Sequence, residues 1–467
     1  MNESEELVST VIKNDYCIGC GVCTVVNDSP FRVRFNQYGN IVAYADKDPA
    51  QSNAKVLDVC PFSGKSLNED QLGELFFPNI VKSDPWIGKY LKCYAGYVRE
   101  NNFRKEGSSG GIGKWLGYTL LKEGKVDYLV QVVSNQSKDP SAPLFDYHIV
   151  SDPAEVIRGS RSAYYPVTLA EVLRIIKNKK AKYAVTGIPC FIKALRLLSL
   201  KDEVIKERIK YTIGIICGGM KSANQAKMIG WQLGVKPENL VAIEFRRKYE
   251  DRPASYKIYQ VWSNKDNIER FRDSYDIFAT DWGAGYFKPN ACDYCDDVVN
   301  ETADISIGDA WLPQFERDPQ GTSLLILRNT ELLEIINKYN NKEVLHLSEL
   351  TADDVAKAQA GGFRHRREGL SFRIDRKEKN NIWYPIKRVK AGDFKLKRKR
   401  KRLYILREKI AKKSHMAFLK ALENNNINIF YKEMKPLVKK YHAINYGILP
   451  VRAIRKIIRI IKNYVRK

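Results

Sequence analysis

Long apolar runs are missing from this chain of 467 residues. No stretch of about 18 apolar residues is available to span a membrane, and the acidic start Met-Asn-Glu-Ser-Glu-Glu lacks the apolar core of a signal peptide. The sequence has no Walker loop and no catalytic triad pattern, and its five histidines show no metal-ligand spacing. These absences exclude several common chemistries and lead us to expect a cytoplasmic protein.

Acidic residues are scarce in the segment between Lys387 and Lys467. About 26 Lys and Arg occur there against about 4 Asp and Glu, so this segment holds nearly all of the formal net charge of +25. The rest of the chain is close to neutral, and its hydrophobic content of 44% is ordinary for a globular protein. The length predicts two or three domains.

Cysteines are concentrated near the start of the chain. Cys17, Cys20 and Cys23 are separated by two residues each, and Cys60 precedes a proline. This spacing is typical of the ligands of a cuboidal 4Fe-4S cluster. A second cluster of the bacterial ferredoxin type would need a cysteine where Asn27 stands, so we expect one cluster here. A zinc site or disulfides are the alternatives, although free thiols for iron suit a reducing compartment.

The hydrophobic pattern divides the chain into three parts, and the predicted fold class is α/β (α+β). Residues 1–82 are predicted to form a ferredoxin-like iron-sulfur module with a β-hairpin at 31–35 and 41–44. Residues 90–368 alternate apolar strands with amphipathic helices, which indicates a central α/β domain. Residues 369–467 are predicted to form an appended basic tail, helical in part. The clearest predicted elements are the helices 112–122, 223–233 and 330–339 and the strands 128–133, 183–186, 211–216 and 323–328.

Five further cysteines lie in the central part of the chain. Cys190 and Cys217 are placed at or just after predicted strand ends, where α/β folds assemble their sites. Cys292 and Cys295 form a pair with two intervening residues, which is a stronger signal because a structural reason for repeating cysteine there is hard to find. Taken alone, Cys190 and Cys217 would more often be small buried apolar residues.

Several short motifs follow one another between Tyr90 and Arg328. They are Arg104–Gly111 with Ser108-Ser-Gly-Gly111, Gly187-Ile-Pro-Cys190, Ile216-Cys-Gly-Gly219, Cys292-Asp-Tyr-Cys295, and Ala303-Asp-Ile-Ser-Ile-Gly-Asp309-Ala-Trp311. Together they resemble the beta-subunit family of coenzyme F420 hydrogenases and dehydrogenases, which is itself similar to the plant hydroxymethyl chlorophyll reductases. The ferredoxin-like module precedes them, as in many relatives.

The resemblance implies a flavoprotein that holds FAD and passes electrons between the flavin and 4Fe-4S clusters. By motif, Cys190, Cys217, Cys292 and Cys295 would bind a second cluster, and Cys93 would be left unassigned. The central α/β domain would then be the flavin-binding one. The likeness covers the fold and the cofactor motifs, whereas no motif of a substrate pocket, for F420 or another compound, is readable in the sequence.

The segment Ser108, Ser109, Gly110 and Gly111 is the candidate cradle for FAD. It stands just before the predicted helix 112–122, and glycine N–H groups, hydroxyls and a helix N-terminus together favour an anion such as pyrophosphate. A plain helix cap is the alternative. Further cofactor-binding candidates are Arg104 and Arg161 as anion ligands, and Asp304 and Asp309 as acceptors for flavin hydroxyl or imide groups. For the two aspartates, capping of a turn at a strand end is an equal alternative.

The function that these patterns favour is an iron-sulfur flavoprotein oxidoreductase. A flavin converts between two-electron and one-electron transfer, while a cluster carries single electrons, so we expect a relay between a redox partner protein or ferredoxin and an organic or deazaflavin-type substrate. Stand-alone bacterial relatives often accompany surface-polysaccharide enzymes, which suggests that setting. The alternative is a non-catalytic electron-transfer subunit that carries clusters for a partner enzyme.

The final segment, Val451–Lys467, alternates apolar and basic residues at helical spacing. Such a helix is typical of a peripheral anchor on an anionic membrane surface, which would place the protein on the inner face of the membrane. Nucleic-acid binding through Lys397–Arg402 is less favoured, because few aromatic residues are interleaved for base stacking. Docking to a partner protein is the third possibility.

Overall fold

The computed structural model describes residues 1–266 and 268–447. The strands are β1 (Phe31–Phe35), β2 (Ile41–Ala45), β3 (Ser83–Asp84), β4 (Gly88–Lys89), β5 (Lys92–Val98), β6 (Tyr128–Ser134), β7 (Phe145–Val150), β8 (Tyr183–Gly187), β9 (Ile209–Ile215), β10 (Leu240–Arg247), β11 (Ile258–Ser263), β12 (Arg270–Asp273), β13 (Ile305–Asp309), β14 (Ser323–Leu327) and β15 (Leu345–Leu350). The helices are α1 (Glu3–Leu7), α2 (Val56–Val59), α3 (Glu69–Phe76), α4 (Phe103–Glu106), α5 (Ile112–Lys122), α6 (Ala170–Asn178), α7 (Pro189–Ser199), α8 (Glu203–Arg208), α9 (Ala223–Gln232), α10 (Thr330–Asn341), α11 (Ala352–Ala358), α12 (Ala360–Phe363), α13 (Gly369–Glu378), α14 (Arg398–Glu423) and α15 (Ile427–Tyr446).

An eight-stranded mixed sheet forms the centre of the molecule, and it confirms the predicted α/β class. Its strand order is β15-β5-β14-β13-β9-β8-β6-β7. The middle four strands, β13, β9, β8 and β6, are parallel. Each of the outer strands, β14, β5, β15 and β7, pairs antiparallel with its neighbours. Parallel strands all end at the same edge of a sheet, where α/β folds bind their ligands.

Alternating side chains cover the two faces of this sheet, as the period of two in a strand requires. On β14, Leu325 and Leu327 face the helices α5 and α10, with which they share one core. Leu324 and Ile326 point the other way, toward α11 and the loop after Cys295. The predicted helix 112–122 matches α5, and the predicted strands of the central domain appear with shifts of one or two residues at their ends.

The N-terminal part contains the predicted β-hairpin, in which β1 pairs with β2 from Phe31↔Ala45 to Phe35↔Ile41. It does not have a core of its own. Val22 and Phe31 are buried in one continuous cluster with Leu169 of the loop before α6 and Leu195 of α7. The hairpin and its cysteine loops therefore pack on the helices that cover the sheet.

The segment after Gly369 was predicted to be an appended tail, and the structure corrects that expectation. Leu370 and Ile374 of α13 are buried in the same core as the N-terminal part. The apolar faces of α14 and α15 pack against α9, β10 and β11. These helices are basic on their outer faces, but apolar residues at helical spacing bury their inner faces. In its described part, residues 369–447, the segment is helical in part, as predicted, and it belongs to the folded body.

The proposed membrane helix, Val451–Lys467, lies outside the described residues. None of the helices in the described part of the chain combines the length and apolar character that a membrane span needs.

Candidate functional site

The first cysteine group is gathered by a tight loop and a short helix. Cys17, Cys20 and Cys23 follow one another through two glycines in the left-handed region, Gly19 and Gly21, with φ of 68° and 82°. A Cβ on Gly19 would lie 2.4 Å from the Ile41 carbonyl oxygen of β2, so only glycine allows the loop to approach the hairpin this closely. The loop and the cysteine that follows α2, Cys60, line one small pocket.

The thiols of this group lie close enough to influence one another. Burial raises the pKa of Cys23 well above its ordinary value, and the neighbouring thiols Cys20, Cys17 and Cys60 raise it further. Burial likewise raises the pKa of Cys60 to about 12. Four such thiols would stay protonated near neutral pH, whereas bound iron would hold them as thiolates. The donor set therefore fits an iron-sulfur cluster.

The two alternatives to a cluster at these cysteines find no support in the geometry. All nine cysteines are free, so no disulfide joins them. Within the described residues, no three or more His, Cys, Asp or Glu side chains approach closely enough to bind one metal ion. A zinc ion needs four ligands around a single centre, while each thiolate of a cuboidal cluster binds a different iron and lies farther from the others.

The second cysteine group converges from three separate segments, as the family resemblance implied. Cys190 is the second residue of α7, Cys217 follows β9, and Cys292 and Cys295 belong to a single-turn loop before β13. Burial raises the pKa of Cys190 well above its ordinary value, and the thiols of Cys295, Cys217 and Cys292 add to the effect. The fold thus brings all four thiols together, while Cys93 lies apart from them in the core beside β14.

Backbone N–H groups and one arginine surround the second group. The Gly219 N–H donates to Cys217 Sγ at 3.3 Å, and the Met220 N–H donates to Cys292 Sγ at 3.3 Å. The buried Arg366 side chain contacts this group. Burial alone would lower the pKa of Arg366, but the nearby thiols of Cys295, Cys217 and Cys292 outweigh burial and raise it. Hydrogen bonds and positive charge of this kind tune the potential of an iron-sulfur cluster.

The two cysteine groups are neighbours. The thiol of Cys20 contributes to the raised pKa of Cys190, and both thiols add to the effect of burial in raising the pKa of Tyr147. The Cys20 carbonyl accepts a hydrogen bond from the Leu169 N–H at 3.0 Å. The two groups therefore lie side by side inside a single chain.

A cavity of about 720 Å³ opens at the carboxyl edge of the parallel strands. Gly187 of β8, Ile215 of β9 and Asp309 of β13 all line it, as do Cys217 and Tyr147. Its volume lies within the range of about 300–1,000 Å³ that is usual for ligand sites. Through Cys217, the second cysteine group thus borders a ligand-sized space at the edge where α/β folds bind cofactors.

One wall of the cavity is the loop that enters α5. Ser108, Ser109 and Gly111 line it, and Gly111 begins the helix at φ 83° with no side chain capping the helix N-terminus. The Ser109 hydroxyl donates to the Thr322 carbonyl at 2.7 Å instead of capping. Gly111 is itself the N-cap residue, and because no side chain caps the first turn, its N–H groups are left open for an anion.

The cavity is strongly basic. Ten Lys and Arg side chains line it, and among the described lining residues Asp309 is the single acid. Asp309 is held by a two-pronged ion pair with Arg246, at 2.7 and 3.2 Å. Arg246 lowers the pKa of Asp309 although burial alone would raise it. Burial lowers the pKa of Lys114, in the first turn of α5, to about 8, and Arg161 lowers it further.

An aromatic pair stands beside these charges. The rings of Tyr164 and Trp282 are 4.6 Å apart between centroids, and both line the cavity. Burial would raise the pKa of Tyr164, but Lys257 and Arg246 outweigh it and lower that pKa. Flat aromatic rings next to cations suit a ligand that combines a planar ring system with phosphate groups.

The structure separates the candidate cofactor residues into two sets. Ser108, Ser109, Gly111, Arg161 and Asp309 line the cavity. Arg104, Gly110 and Asp304 lie outside its lining, where each has a structural contact of its own.

Asp304 is placed away from the cavity. It precedes β13 while Asp309 ends it, so the two carboxylates lie roughly 16 Å apart along the strand at about 3.3 Å per residue. The Asp304 carboxylate accepts from the Thr212 N–H at 2.7 Å and pairs with Arg196 at 3.0 Å. We therefore correct the expectation that both aspartates face one flavin, because Asp304 ties β13 to β9 and α7 at the opposite edge.

Arg104 and Gly110 support the cavity wall from behind. The Arg104 guanidinium pairs with Asp318, donates to the Gly321 carbonyl and covers the Tyr97 ring at 3.6 Å. A Cβ on Gly110 would lie 2.3 Å from the Gly96 carbonyl oxygen, so this glycine lets the loop rest on β5. Sequence reasoning missed Lys114, although its place one turn into α5 was a usable signal. It also missed Arg246, Lys257 and Trp282, for which no local motif exists.

Comparison with known protein families gives the identity of the central domain. The family model described as "Coenzyme F420 hydrogenase/dehydrogenase, beta subunit N-term" matches residues 93–174, and the one for the C terminus of the same subunit matches residues 180–353. Together they cover more than half of the chain. The protein belongs to the coenzyme F420 hydrogenase/dehydrogenase beta-subunit family.

Several curated relatives in this family carry redox names. The chain is 22% identical over 357 residues to the coenzyme F420-dependent sulfite reductase of Methanocaldococcus jannaschii, covering 73% of this chain and 49% of that protein. It is 27% identical over 325 residues to a subunit of the F(420)H(2) dehydrogenase of Methanosarcina mazei, covering 67% and 82%. It is 24% identical over 251 residues to the beta subunit of the coenzyme F420 hydrogenase of Methanosarcina barkeri, covering 52% and 79%. The chain thus spans about half the length of the sulfite reductase.

Among solved structures, a chain of the F420-reducing NiFe hydrogenase complex from Methanosarcina barkeri matches with a TM-score of 0.48 at 17% identity, covering 63% of this chain and 96% of that one.

The residues matched by the two family models include the second cysteine group and the cavity wall at the start of α5. The first cysteine group precedes them. The cavity residues Arg364, Arg400 and Arg407 follow them, so part of the cavity wall is supplied by a segment beyond the family models.

Proposed function

We propose that this protein is an iron-sulfur flavoprotein oxidoreductase with two 4Fe-4S clusters and one FAD. Cys17, Cys20, Cys23 and Cys60 would hold the first cluster, and Cys190, Cys217, Cys292 and Cys295 the second. The division into a ferredoxin-type module (1–82), a family domain (90–368) and a basic helical segment (369–467) belongs to the same proposal. When bound, the clusters carry single electrons and the flavin exchanges one-electron for two-electron chemistry.

The observation that carries the proposal is the position of Cys217. It is both a member of the second cysteine group and a lining residue of the basic cavity. An electron carrier held by this thiol would therefore border any cofactor in the cavity. The neighbouring first group, joined through Cys20 and Tyr147, extends the path toward the outside of the protein.

The residues of the cavity wall fit FAD by charge and shape. The open N-terminus of α5, Lys114 and Arg161 would bind the pyrophosphate, since helix dipoles and guanidinium groups favour phosphate oxygens. Asp309, kept ionised by Arg246, would accept a hydrogen bond from a flavin hydroxyl or imide group. Tyr164 and Trp282 would pack against a ring.

The substrate side of the proposal follows the relatives. Their names include F420-dependent enzymes and subunits, and a deazaflavin or another reducible organic compound is the proposed substrate, with a ferredoxin or other redox protein as partner. The test is purification without oxygen, with iron, sulfide and flavin measured. We expect about eight irons and about eight sulfides per chain, from two four-iron clusters, with one FAD. Clusters without flavin would instead favour an electron-transfer subunit.

Replacing Arg161 by glutamine should weaken flavin binding about tenfold, because one charge-assisted contact to pyrophosphate is lost. Arg161 pairs with Glu106 at 2.9 Å and Glu244 at 3.5 Å, and its Nε is buried without a partner. FAD retained after dialysis, measured by its fluorescence on release, is the readout. Arg158→Gln is the matched control, since that side chain is 75% exposed and should leave FAD content unchanged. Equal loss in both variants would contradict the assignment.

A further inference from the structure

Resting on the proposed function, we infer that the end of the cavity beyond the family models is a substrate site for an organic phosphate monoester. This basic end is defined by Arg364 and Arg407, with Arg400 and Lys288 beside them, and all four line the cavity. The proposed flavin-binding wall, which we call the flavin wall, is formed by Ser108, Ser109 and Gly111 before α5. The inference concerns a second ligand that shares the cavity with FAD.

The cations of the basic end are gathered around one tyrosine. The guanidinium carbons of Arg400 and Arg407 lie 5.4 and 5.7 Å from the centre of the Tyr404 ring. The Tyr404 hydroxyl donates to the Arg364 carbonyl at 3.0 Å. Tyr404 therefore joins α14 to the segment after α12, and the exposed Arg364 lines the cavity together with Arg400 and Arg407.

Two of these cations have no counter-charge. In the described part of the chain, neither Arg364 nor Arg407 forms an ion pair with a carboxylate, whereas Arg400 pairs with Glu368 at 2.7 Å and Lys288 pairs with Asp293 at 2.5 Å. Arg407 Nε is buried and has no hydrogen-bond partner. A buried guanidinium N–H without an acceptor is costly, so an anion that accepts from Arg407 Nε would stabilise this end.

The number of free charges sets the class of ligand. Two unpaired guanidinium groups match a phosphate monoester, which carries close to two negative charges at pH 7 because its second pKa is about 6. Arginine also binds phosphate oxygens through two parallel hydrogen bonds. A single carboxylate would leave one of the two cations uncompensated.

Phenyl phosphate, benzoate and inorganic phosphate are the probes, titrated calorimetrically at pH 7.5 into full-length protein saturated with FAD. Filling the flavin wall first keeps its cations, such as Arg161, from competing. We expect phenyl phosphate to bind at least about tenfold more tightly than either other probe. Arg407→Gln and Arg364→Gln should each weaken it about tenfold, the effect of losing one charged hydrogen-bond donor.

The matched control is Lys399→Gln, which removes one positive charge from the exposed side of the same helix and should leave binding unchanged. Equal weakening by Lys399→Gln would overturn the inference, because the attraction would then be diffuse. Equally tight benzoate or inorganic phosphate would overturn it as well, as would wild-type affinity in Arg407→Gln. Since no electron transfer is measured, a protein that holds clusters and FAD but ignores phenyl phosphate defeats this inference alone.

Discussion

Replacing Cys60 by alanine should halve the iron content, from about eight to about four irons per chain, if each cysteine group holds one four-iron cluster. Cys60 lines the small pocket of the first group and lies outside the lining of the basic cavity. The proposed FAD content should therefore stay the same. Cys292→Ala should remove the other half of the iron. Iron and sulfide assays on oxygen-free preparations, with electron paramagnetic resonance of the reduced proteins, provide the measurement.

The ninth cysteine supplies the control for this experiment. Cys93 is buried on β5 in a core shared with Leu324 and Ile326, away from both groups. Cys93→Ala should therefore retain all of the iron, at the cost of a small cavity in the core. If Cys93→Ala lost as much iron as Cys60→Ala, the loss would reflect general instability. Full iron in Cys60→Ala would remove the first cluster from the proposal.

Replacing Arg388 by methionine should destabilise the fold by about 3–5 kcal/mol, the usual cost of breaking a buried ion pair from one side. The Arg388 guanidinium is 9% exposed. It donates to both carboxylate oxygens of Glu301, at 2.7 and 2.8 Å, and also contacts Glu69 and Asp296. The change would leave these buried carboxylates without their shared cation. The midpoint of urea unfolding, followed by circular dichroism under argon, should fall by about 1 M or more.

A surface ion pair calibrates this result. Arg32 pairs with Asp46 at 2.7 Å, but its side chain is 65% exposed. Arg32→Met should therefore shift stability by about 1 kcal/mol or less. Similar shifts in the two variants would show that Arg388 is not the link between the N-terminal part, which contributes Glu69, and the loop after Cys295, which contributes Glu301.

Local pattern was enough to predict most of the regular structure. The β-hairpin and α5 appear where alternation and helical spacing placed them. Both depend on neighbours in sequence, and the spacing of apolar side chains records such contacts. The first cysteine group was visible for the same reason, since three of its members lie within one loop.

Long-range features were less accessible. Cys190 and Cys217 follow the parallel strands β8 and β9 at one edge of the sheet, and Cys292 reaches them from the loop before β13. Their grouping was available only through the family resemblance. The separation of Asp304 from Asp309 was readable in the sequence, because the four residues between them belong to a strand that holds the two at opposite edges.

The basic helices show a different limit of sequence reasoning. The positive charge of α14 suggested an independent tail, and it concealed the apolar residues, such as Leu403, Leu406 and Ile410, that bind the helix to the body of the protein. Charge describes the outer surface of a helix, while packing depends on the minority of residues on its inner side. The cavity cations Arg400 and Arg407 belong to neither category, and no local pattern marks them.

The contact between the Cys20 carbonyl and the Leu169 N–H has a consequence for how such proteins can be rebuilt. A Cβ on Gly21 would lie 2.4 Å from Thr168 Oγ1, so the first cysteine loop interlocks with the chain that enters α6. The N-terminal cysteine loop with its hairpin is therefore not an interchangeable unit. Grafting an unrelated ferredoxin onto the remainder would leave Leu169 and Leu195 uncovered, and any inherited or engineered fusion must preserve this interlock along with the cysteines.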